Sequence, residues 1–314
     1  MDTPLLFLIF NRPDTTRAVF ERIREMRPAQ LFVAADGPRA DKPDDSEKCR
    51  RAREIALKVD WPCEVKTLLR DRNLGCKVAV SSAIDWFFAS VEQGIILEDD
   101  TLPDASFFPF CRELLIKYKD DGKVAMITAD NFIGAAKPGS ASYYFSKIPL
   151  IWGWAAWKRS WRAYDVSMAS YPAFRAEGKI HSIWKNDAVA AYWTRQFDEA
   201  YAGKIDTWDI QWAYALLAND MKSIAPALNL ATNIGFGADA THTKNTKSGS
   251  AGMNALSMNF PLIHPENMDL NIRADASTLR RHFGILRTAR QRALWRFKKA
   301  FPATHARLKK YLKK

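Results

Sequence analysis

The stretch Gly94-Ile95-Ile96-Leu97-Glu98-Asp99-Asp100 joins a short apolar run directly to three consecutive carboxylates. Such a run is typical of a strand buried on both faces of an α/β sheet, and open α/β sheets bind their ligands at the carboxyl ends of their strands. Three adjacent acids repel one another unless a cation neutralises them. Hard divalent ions such as Mg²⁺ and Mn²⁺ take oxygen ligands and commonly bridge to substrate phosphates. The stretch therefore predicts a metal site for a nucleotide diphosphate, and a solvated acidic turn is the alternative.

Other apolar runs alternate with helical patterns along the chain. The predicted strands are residues 4–10, 31–35, 64–69 and 124–128, together with the strand at Ile95. The predicted helices are residues 16–26, 47–59, 77–90, 105–118, 186–201 and 209–218. Alternation at this spacing predicts a mostly parallel sheet with right-handed crossovers, flanked by helices. Residues 143–161 are aromatic and contain glycine, and we interpret them as an irregular floor to the site.

Polar residues follow the predicted strands at the points where the strands end. They are Asn11, Arg12, Asp36, Arg39 and Asn73. Because the carboxyl ends of parallel strands lie at one edge of the sheet, we expect these residues to converge there with the acidic triplet. Polar residues that are distant in sequence and meet at one edge are what a nucleotide site requires.

The net charge of +12 is concentrated at the C-terminus. Residues 273–314 contain 14 Lys and Arg against one acid, so the rest of the chain is close to neutral. A neutral body argues against a nucleic-acid-binding protein, because recognition of the phosphate backbone needs basic residues on the folded surface. We therefore predict one domain at residues 1–270 and a basic amphipathic tail at residues 271–314.

The basic tail contains apolar residues at helical spacing between residues 285 and 301, with Arg and Lys over much of the remaining surface. This pattern predicts a helix that lies on an anionic membrane surface. The alternatives are a basic helix packed on the body and a disordered solubilising tail.

The four cysteines and the N-terminal sequence indicate the cellular compartment of the protein. Cys49, Cys63, Cys76 and Cys111 form no CxxC pair, which favours free thiols in a reducing compartment. The apolar run at residues 5–10 is too short for a signal peptide or a membrane span. We expect a cytoplasmic protein that associates peripherally with the inner face of the membrane through its tail.

An ordered set of short motifs resembles a known family. The motifs are Phe10-Asn11-Arg12-Pro13, Ala35-Asp36-Gly37-Pro38-Arg39, Asn73-Leu74-Gly75, Ile96-Leu97-Glu98-Asp99-Asp100, Trp152-Gly153-Trp154, the stretch from Asp206 to Trp212 and the stretch from Asn233 to Thr243. Over residues 4–265 the chain resembles GT-A-fold (Rossmann-like) glycosyltransferases, in particular bacterial nucleotide-diphospho-sugar transferases labelled hemolytic-protein-like. It is more remotely similar to the inverting N-acetylglucosaminyltransferase that initiates complex N-glycans and also carries Glu-Asp-Asp.

The resemblance implies a role for each matching residue. It implies that Asp36 accepts a hydrogen bond from a uracil-type ring NH, that Asp100 ligates Mn²⁺ or Mg²⁺, and that His242 completes the metal shell or contacts the diphosphate. Alternatively Asp36 is an ordinary turn residue and His242 a solvated loop histidine. The implied nucleotide-sugar-binding residues are Asn11, Arg12, Asp36, Arg39, Asn73, Gly75, Lys77, Asp99 and Trp154.

The segment Asp206-Thr207-Trp208-Asp209 precedes a predicted helix. By analogy with the inverting enzyme, Asp209 is the candidate general base that deprotonates the acceptor hydroxyl, and Asp206 is its substitute. The alternative is that these residues only cap the helix.

The resemblance implies transfer of a sugar from a nucleotide-diphosphate donor, a UDP-sugar, to a glycan or lipid-linked acceptor in bacterial surface polysaccharide synthesis. One alternative is a sugar nucleotidyltransferase, but that class usually carries a glycine-rich basic loop after its first strand, and Asn11-Arg12-Pro13-Asp14 is not such a loop. A second alternative is a non-enzymatic membrane-associated lectin, which leaves the acidic motifs without a purpose.

Overall fold

Eight strands form the central sheet within residues 1–134, 138–235 and 253–286, which are the residues that this computed structural model describes. In chain order the strands are β1 (Leu5–Ile9), β2 (Gln30–Ala35), β3 (Glu64–Leu69), β4 (Gln93–Glu98), β5 (Thr101–Pro103), β6 (Val124–Thr128), β7 (Tyr143–Ser146), β8 (Trp154–Trp157), β9 (Lys222–Pro226) and β10 (Ala231–Asn233). The order in the central sheet is β3-β2-β1-β4-β8-β6-β9-β7, and β5 pairs with β10 in a separate sheet.

The sheet is mostly parallel. Strands β3, β2, β1 and β4 run parallel, and so do β6 and β9. Strand β8 is antiparallel to both of its neighbours, and β7 is antiparallel to β9. The helices in the described part of the chain are α1 (Pro13–Met26), α2 (Asp45–Ala56), α3 (Gly75–Ser90), α4 (Phe107–Lys117), α5 (Lys158–Trp161), α6 (Tyr171–Ala176), α7 (Lys179–Ile183), α8 (Asp187–Tyr201), α9 (Asp209–Ala218) and α10 (Ile272–Arg281). The predicted fold class, a mostly parallel sheet flanked by helices, is confirmed.

Both faces of the sheet are covered, which explains the continuous apolar runs in its strands. On β1, Leu5 and Phe7 pack into one core with α1, α2 and α4, whereas Leu6 and Leu8 pack into a second core with α3, α5 and α9. A third apolar cluster joins α6, α7 and α8 to the outer side of α9. The alternation of side chains along a strand therefore supplies residues to two cores at once.

The strand order reverses at β1, and a crevice lies at this point of the sheet edge. Strands β2 and β3 lie on one side of β1, and β4 lies on the other, with Leu8 of β1 paired to Glu98 of β4. Ligands of open α/β sheets bind at such a switch point, outside the carboxyl ends of the strands. The topology therefore brings the segment after Ile9 next to the acidic triplet.

The predicted strands at residues 64–69 and 124–128 and the predicted helix at residues 209–218 have the predicted bounds. The interpretation of residues 143–161 as an irregular floor was wrong, because this stretch contains β7 and β8. Each of these strands has only four residues, too few for a period of two to be recognised among aromatic residues and alanines. Strand β8 lies in the middle of the sheet because it pairs with both β4 and β6.

Helix α10 packs on the sheet although residues 271–314 were predicted to form the tail. Its Asp275 is buried and accepts hydrogen bonds from the Ser146 hydroxyl (2.6 Å) and the Lys147 amide (3.1 Å). The division into a domain at residues 1–270 and a tail at residues 271–314 stays a prediction, and residues 287–314 lie outside the described residues. Within the described ranges, no helix combines the length and the apolar character that a bilayer span requires.

Asp275 should make the stability of the protein depend on pH. Burial raises the pKa of this carboxyl to about 6, so the folded state binds its proton more tightly than the unfolded chain does. Its contribution to the free energy of unfolding should therefore fall as the pH rises from about 4 to about 7. In Asp275→Asn this fall is removed, so the stability of the variant relative to the wild type should increase over that range.

Urea unfolding at several pH values measures this difference, and the exposed Asp269→Asn is the control. A difference between Asp275→Asn and the wild type that does not change with pH would contradict the prediction.

Candidate functional site

A cavity of about 490 Å³ lies at the carboxyl ends of β1, β2 and β4. It collects residues that are far apart in the sequence and that the sequence analysis singled out. The predicted residues that line it are Arg12, Asp36, Arg39, Asn73, Gly75, Asp99, Asp100, Asp206 and Asp209. The expected convergence at one edge of the sheet therefore occurs for these residues.

The acidic triplet lies at the centre of the cavity. Asp99 Oδ2 accepts a hydrogen bond from the Phe10 amide (2.9 Å), which ties the end of β4 to the end of β1. Arg12 Nη1 donates to Asp100 Oδ2 (2.6 Å) and lies 4.0 Å from Asp99 Oδ1. Glu98 Oε1 is buried and accepts no hydrogen bond from any described residue. One guanidinium group therefore faces three carboxylates.

The pKa values of the triplet reflect this crowding. Burial, with the neighbouring charge of Asp100, raises the pKa of Asp99 to about 7 and raises the pKa of Glu98 well above its ordinary value. Burial lowers the pKa of Arg12, but the charges of Asp99 and Asp100 outweigh it and raise that pKa overall. The raised pKa values mean that the ionised forms of Glu98 and Asp99 are disfavoured in this cluster, and a positive charge placed beside them would favour those forms.

Asp100 is packed against the segment that follows β10. Its carbonyl accepts a hydrogen bond from the Ile234 amide (2.7 Å). A Cβ atom at Gly235 would lie only 2.2 Å from Asp100 Oδ2 and 2.7 Å from Asp100 Cβ, so this position has room for glycine alone. His242, the second predicted metal ligand, lies outside the described residues. Within the described ranges, no three His, Cys, Asp or Glu side chains form a group that could hold a metal ion.

Asp36 and Asn73 join the end of β2 to the turn before α3. Asp36 Oδ1 accepts from the amides of Gly37 (2.8 Å) and Leu74 (3.0 Å), and Asn73 Nδ2 donates to Asp36 Oδ2 (2.9 Å). Burial raises the pKa of Asp36, although these backbone donors oppose the increase. Asp36 therefore holds the turn before α3 against the end of β2 and lines the cavity.

Asp45 organises two loops of the site and was not among the predicted site residues. Its buried carboxylate accepts from Arg39 Nε (2.6 Å), Arg39 Nη2 (3.0 Å) and Asn11 Nδ2 (2.7 Å). The Arg39 guanidinium also lies 5.3 Å from the centre of the Phe10 ring. Asn11 is thus held behind the cavity and does not line it, whereas Arg39 does. Only the tertiary contact of Arg39 with Asp45 distinguishes this acid from the other acids in its loop.

Asp206 and Asp209 occupy different environments. Asp206 accepts from the backbone amides of Cys76 (2.8 Å) and Lys77 (3.0 Å), so it caps the first turn of α3. Gly75 has φ +79°, and a Cβ atom there would lie 2.6 Å from Asp206 Oδ2. Lys77 therefore contributes a backbone amide at this position and does not line the cavity. Asp209 is the first residue of α9 and accepts a hydrogen bond from the Thr207 hydroxyl.

The tryptophans divide between the cavity and the core. Trp154 is fully buried and stacks on Trp208 with ring centres 5.6 Å apart, so Trp154 does not line the cavity. Trp152 and Trp208 do line it. Two lining residues that the sequence analysis missed are Arg70, which donates to the Ser82 hydroxyl (2.7 Å), and Cys76. Arg70 directly follows β3, and the same pattern that identified Asn11 and Asp36 could have identified it.

Comparisons with known proteins gave structural similarities only. No family model matches the sequence, and no curated protein matches it. The chain is similar to apo UDP-glucose pyrophosphorylase, with 11% identity and a TM-score of 0.38 over 74% of this chain and 93% of that chain. It is similar to a UDP-glucose pyrophosphorylase complexed with UDP-glucose, with 12% identity and a TM-score of 0.34 over 72% and 90% of the two chains. It is also similar to apo mouse xyloside xylosyltransferase 1, with 11% identity and a TM-score of 0.32 over 70% and 84%. At these values the similarities carry no argument about activity.

Asp45 should stabilise the fold above a strongly acidic pH. The hydrogen bonds from Arg39 are the main cause that lowers the pKa of Asp45 to about 2. The carboxylate therefore contributes stability above pH 4, and this contribution should be lost as the pH falls through about 2. Asp45→Ala leaves Arg39 and Asn11 without this acceptor and should lower the free energy of unfolding by about 1–3 kcal/mol at pH 7.

Urea unfolding measures this loss, with Asp41→Ala as the matched control because Asp41 is an exposed acid of the same loop. Equal stability of Asp45→Ala and the wild type would show that the two loops do not depend on Asp45.

Proposed function

We propose that the protein is a metal-dependent glycosyltransferase. It moves a sugar from a nucleotide-diphosphate donor, a UDP-sugar, to a glycan or lipid-linked acceptor in bacterial surface polysaccharide synthesis, with inversion at the anomeric carbon. The observation that carries the proposal is the cavity that joins the carboxylates at the end of β4 to a candidate base, Asp209. The family resemblance of the sequence supports the same class.

The charge of the cavity supports a metal ion that enters with the donor. The described lining residues include six carboxyl groups and three guanidinium groups, and two of the three guanidinium groups are engaged by Asp45 and Asp100. A diphosphate would be repelled by a surface with this excess of acid unless a divalent cation came with it. Oxygen-rich sites that share the ion with substrate phosphates are the usual arrangement for Mg²⁺ and also suit Mn²⁺.

The triplet supplies oxygen atoms to such an ion but would need the donor phosphates as further ligands, because no group of three His, Cys, Asp or Glu side chains in the described ranges could hold it alone. Glu98 Oε1 has no hydrogen-bond donor among the described residues, and Asp100 meets the ion's preference for carboxylate oxygen. Asp100 would hold the ion together with the phosphates of the donor, and His242 is the proposed further ligand. When bound, the ion would stabilise the negative charge that develops on the departing nucleotide diphosphate. Arg12, next to Asp100, would contribute to the same stabilisation.

Asp209 is the better candidate for the general base. Both oxygens of Asp206 accept hydrogen bonds from backbone amides of α3, so this carboxylate is already engaged at the start of that helix. Asp209 lines the cavity and has one hydroxyl partner in the described residues, Thr207. In the proposed reaction the acceptor hydroxyl gives its proton to Asp209, and its oxygen bonds to the anomeric carbon. The bond from that carbon to the diphosphate breaks, and its electron pair leaves with the nucleotide diphosphate.

The nucleotidyltransferase alternative has less support. Helix α1 begins at Pro13, only four residues after the end of β1. This connection has no room for a glycine-rich loop that would cradle a triphosphate. The carboxylates and Arg12 occupy the position that such a loop would take.

Asp100→Ala should remove the metal-dependent part of donor binding. The variant loses the proposed ligand and leaves Arg12 with one carboxylate fewer, so binding of UDP in the presence of Mn²⁺ should weaken roughly ten- to a hundredfold. Binding without Mn²⁺ should be unchanged or slightly stronger. Titration calorimetry with UDP, with Mn²⁺ and with EDTA, measures both.

Asp120→Asn is the control for Asp100→Ala, because it removes an exposed carboxylate away from the cavity. Strengthening of UDP binding by Mn²⁺ to the same extent in Asp100→Ala and the wild type would refute the metal site.

Asp209→Asn should retain donor binding and lose turnover. The substitution keeps the side-chain size at the start of α9 but removes the proton acceptor, so the rate should fall by roughly 10²- to 10⁴-fold. The measurement is Mn²⁺-dependent release of UDP from UDP-glucose, UDP-galactose and UDP-N-acetylglucosamine, with UDP affinity determined in parallel. If Asp209→Asn releases UDP at a near-normal rate and a folded Asp206→Asn does not, the general base is Asp206.

The basic C-terminal sequence is proposed to hold the enzyme on an anionic membrane surface, where lipid-linked acceptors are present. Its residues 287–314 carry Arg and Lys at high density. The full chain should sediment with vesicles that contain anionic lipid and should be released by high salt. A chain truncated after residue 286 should remain in solution, and equal sedimentation of both forms would remove this part of the proposal.

A further inference from the structure

The two edges of the central sheet differ. At one edge, the segment that follows residue 262 borders β7: the Ser142 amide donates to the Ile263 carbonyl (2.7 Å), and the Asn271 amide donates to the Phe145 carbonyl (2.8 Å). At the other edge, β3 pairs with β2 on one side and with none of the described strands on the other. An open strand edge presents backbone amides and carbonyls that another strand can bind.

Alternate residues of β3 turn their backbone groups away from β2. The amide of Glu64, the first residue of the strand, donates to the Ala29 carbonyl on the β2 side (2.8 Å). In a parallel pair, the residues that bond to the neighbouring strand recur at every second position. The amides and carbonyls of Val65, Thr67 and Leu69 therefore lie on the open edge.

The side chains of the same three residues are exposed. Val65 and Leu69 are 38% and 37% exposed, and Thr67 lies between them and is exposed as well. Side chains at alternate positions of a strand share one face of the sheet. This face of β3 therefore presents two apolar side chains on either side of a small polar one.

The features that usually protect an open edge are missing from β3. Natural edge strands carry a proline, a bulge or an outward charge that hinders pairing with another chain. No proline occurs within β3, and its register with β2 runs without a shift. The ammonium group of Lys66 is engaged within its own sheet, 3.2 Å from Glu64 Oε1 and 5.2 Å from the centre of the Phe32 ring. The edge is thus open to a further strand.

The order of side chains along β3 matches itself when the strand is reversed. If two copies meet in antiparallel orientation about a two-fold axis at Thr67, Val65 of each copy faces Leu69 of the other. The backbone groups that opposed residues exchange in such a pair are those on the open edge. In the same register Glu64 faces Arg70, so an acid of each copy lies opposite a base of the other, which favours pairing.

We propose that two copies of the chain associate through their β3 strands and form one continuous sheet. The match of apolar with apolar and of acid with base in the reversed strand identifies the partner as a second copy. Among the described residues Arg70 forms no ion pair, and its side chain donates to the neutral Ser82 hydroxyl (2.7 Å), so a carboxylate from the second copy would add a charged partner. This association does not depend on the proposed function.

Sedimentation velocity of the full chain tests the association. The wild type should be largely dimeric at roughly 100 µM and should dissociate on dilution, because a strand edge is a small interface. A wild type that stays monomeric at this concentration would refute the proposal. That is the result expected if another part of the chain or a different protein covers β3.

An exchange of charge at Thr67 tests the surface and the register together. Thr67→Lys and Thr67→Glu each place two like charges across the proposed axis, so each should raise the dissociation constant of the dimer about fivefold or more. An equimolar mixture of the two variants places opposite charges there and should recover the affinity of the wild type, with the heterodimer as the main species in native mass spectrometry. Val166→Lys, at a 44% exposed apolar residue outside the sheet, is the control and should leave the dimer unchanged.

Thr67→Pro tests the backbone pairing without a change of charge. Because the Thr67 amide faces away from β2, proline leaves the bonds between β2 and β3 in place but removes a donor at the axis from each copy. The dissociation constant should rise roughly ten- to a hundredfold. Circular dichroism and urea unfolding establish that each variant is folded. Pairing through β3 is refuted if folded Thr67→Lys and Thr67→Pro dimerise as tightly as the wild type, or if the mixture of charged variants does not recover affinity.

Discussion

The repulsion among the carboxylates at the end of β4 is the constraint on which the site depends. Burial brings Glu98, Asp99 and Asp100 together, and Arg12 neutralises only part of their charge. A folded protein tolerates such a cluster only where the rest of the structure holds it in place. Here the neighbouring strand β1 and the close approach of Gly235 hold it. In the proposed function this crowding of carboxylates is the reason why a divalent cation would enter together with the diphosphate of the donor.

Three further carboxylates fix the loops around this cluster. Asp36 joins the end of β2 to the turn before α3, Asp45 joins Asn11 to Arg39, and Asp206 caps α3. Each of them accepts hydrogen bonds from backbone or side-chain donors of these loops. The site is thus built on loops, but these loops are held by hydrogen bonds at strand and helix ends. Acidic residues therefore either form the cluster at the end of β4 or hold the loops around it. The hydrogen-bond partners of each residue show which of the two roles it has.

The sequence predicted the regular part of this architecture well because local patterns encode it. The apolar runs at residues 64–69 and 124–128 are long enough to be recognised and lie between clear turn residues. The short strands β7 and β8 escaped recognition, because four residues rich in Trp, Tyr and Ala carry no readable period. The resemblance implied that Trp154 contacts the substrate, but Trp154 is buried in the core, whereas Trp152 of the same motif lines the cavity. A single motif contains both, and its spacing cannot show which indole faces the core.

Local patterns along the chain were enough to predict the fold class, the edge of the sheet at which polar residues meet and the acidic character of that edge. These properties follow from the order of apolar runs and from the residues that end them, which are local. The folded structure was needed to show that Asp45 accepts hydrogen bonds from Arg39, that Asp206 caps α3 and that Asp209 caps no helix by a side-chain hydrogen bond. Contacts of this kind join residues distant along the chain, and their geometry depends on how the helices pack across the sheet. No short motif contains that information.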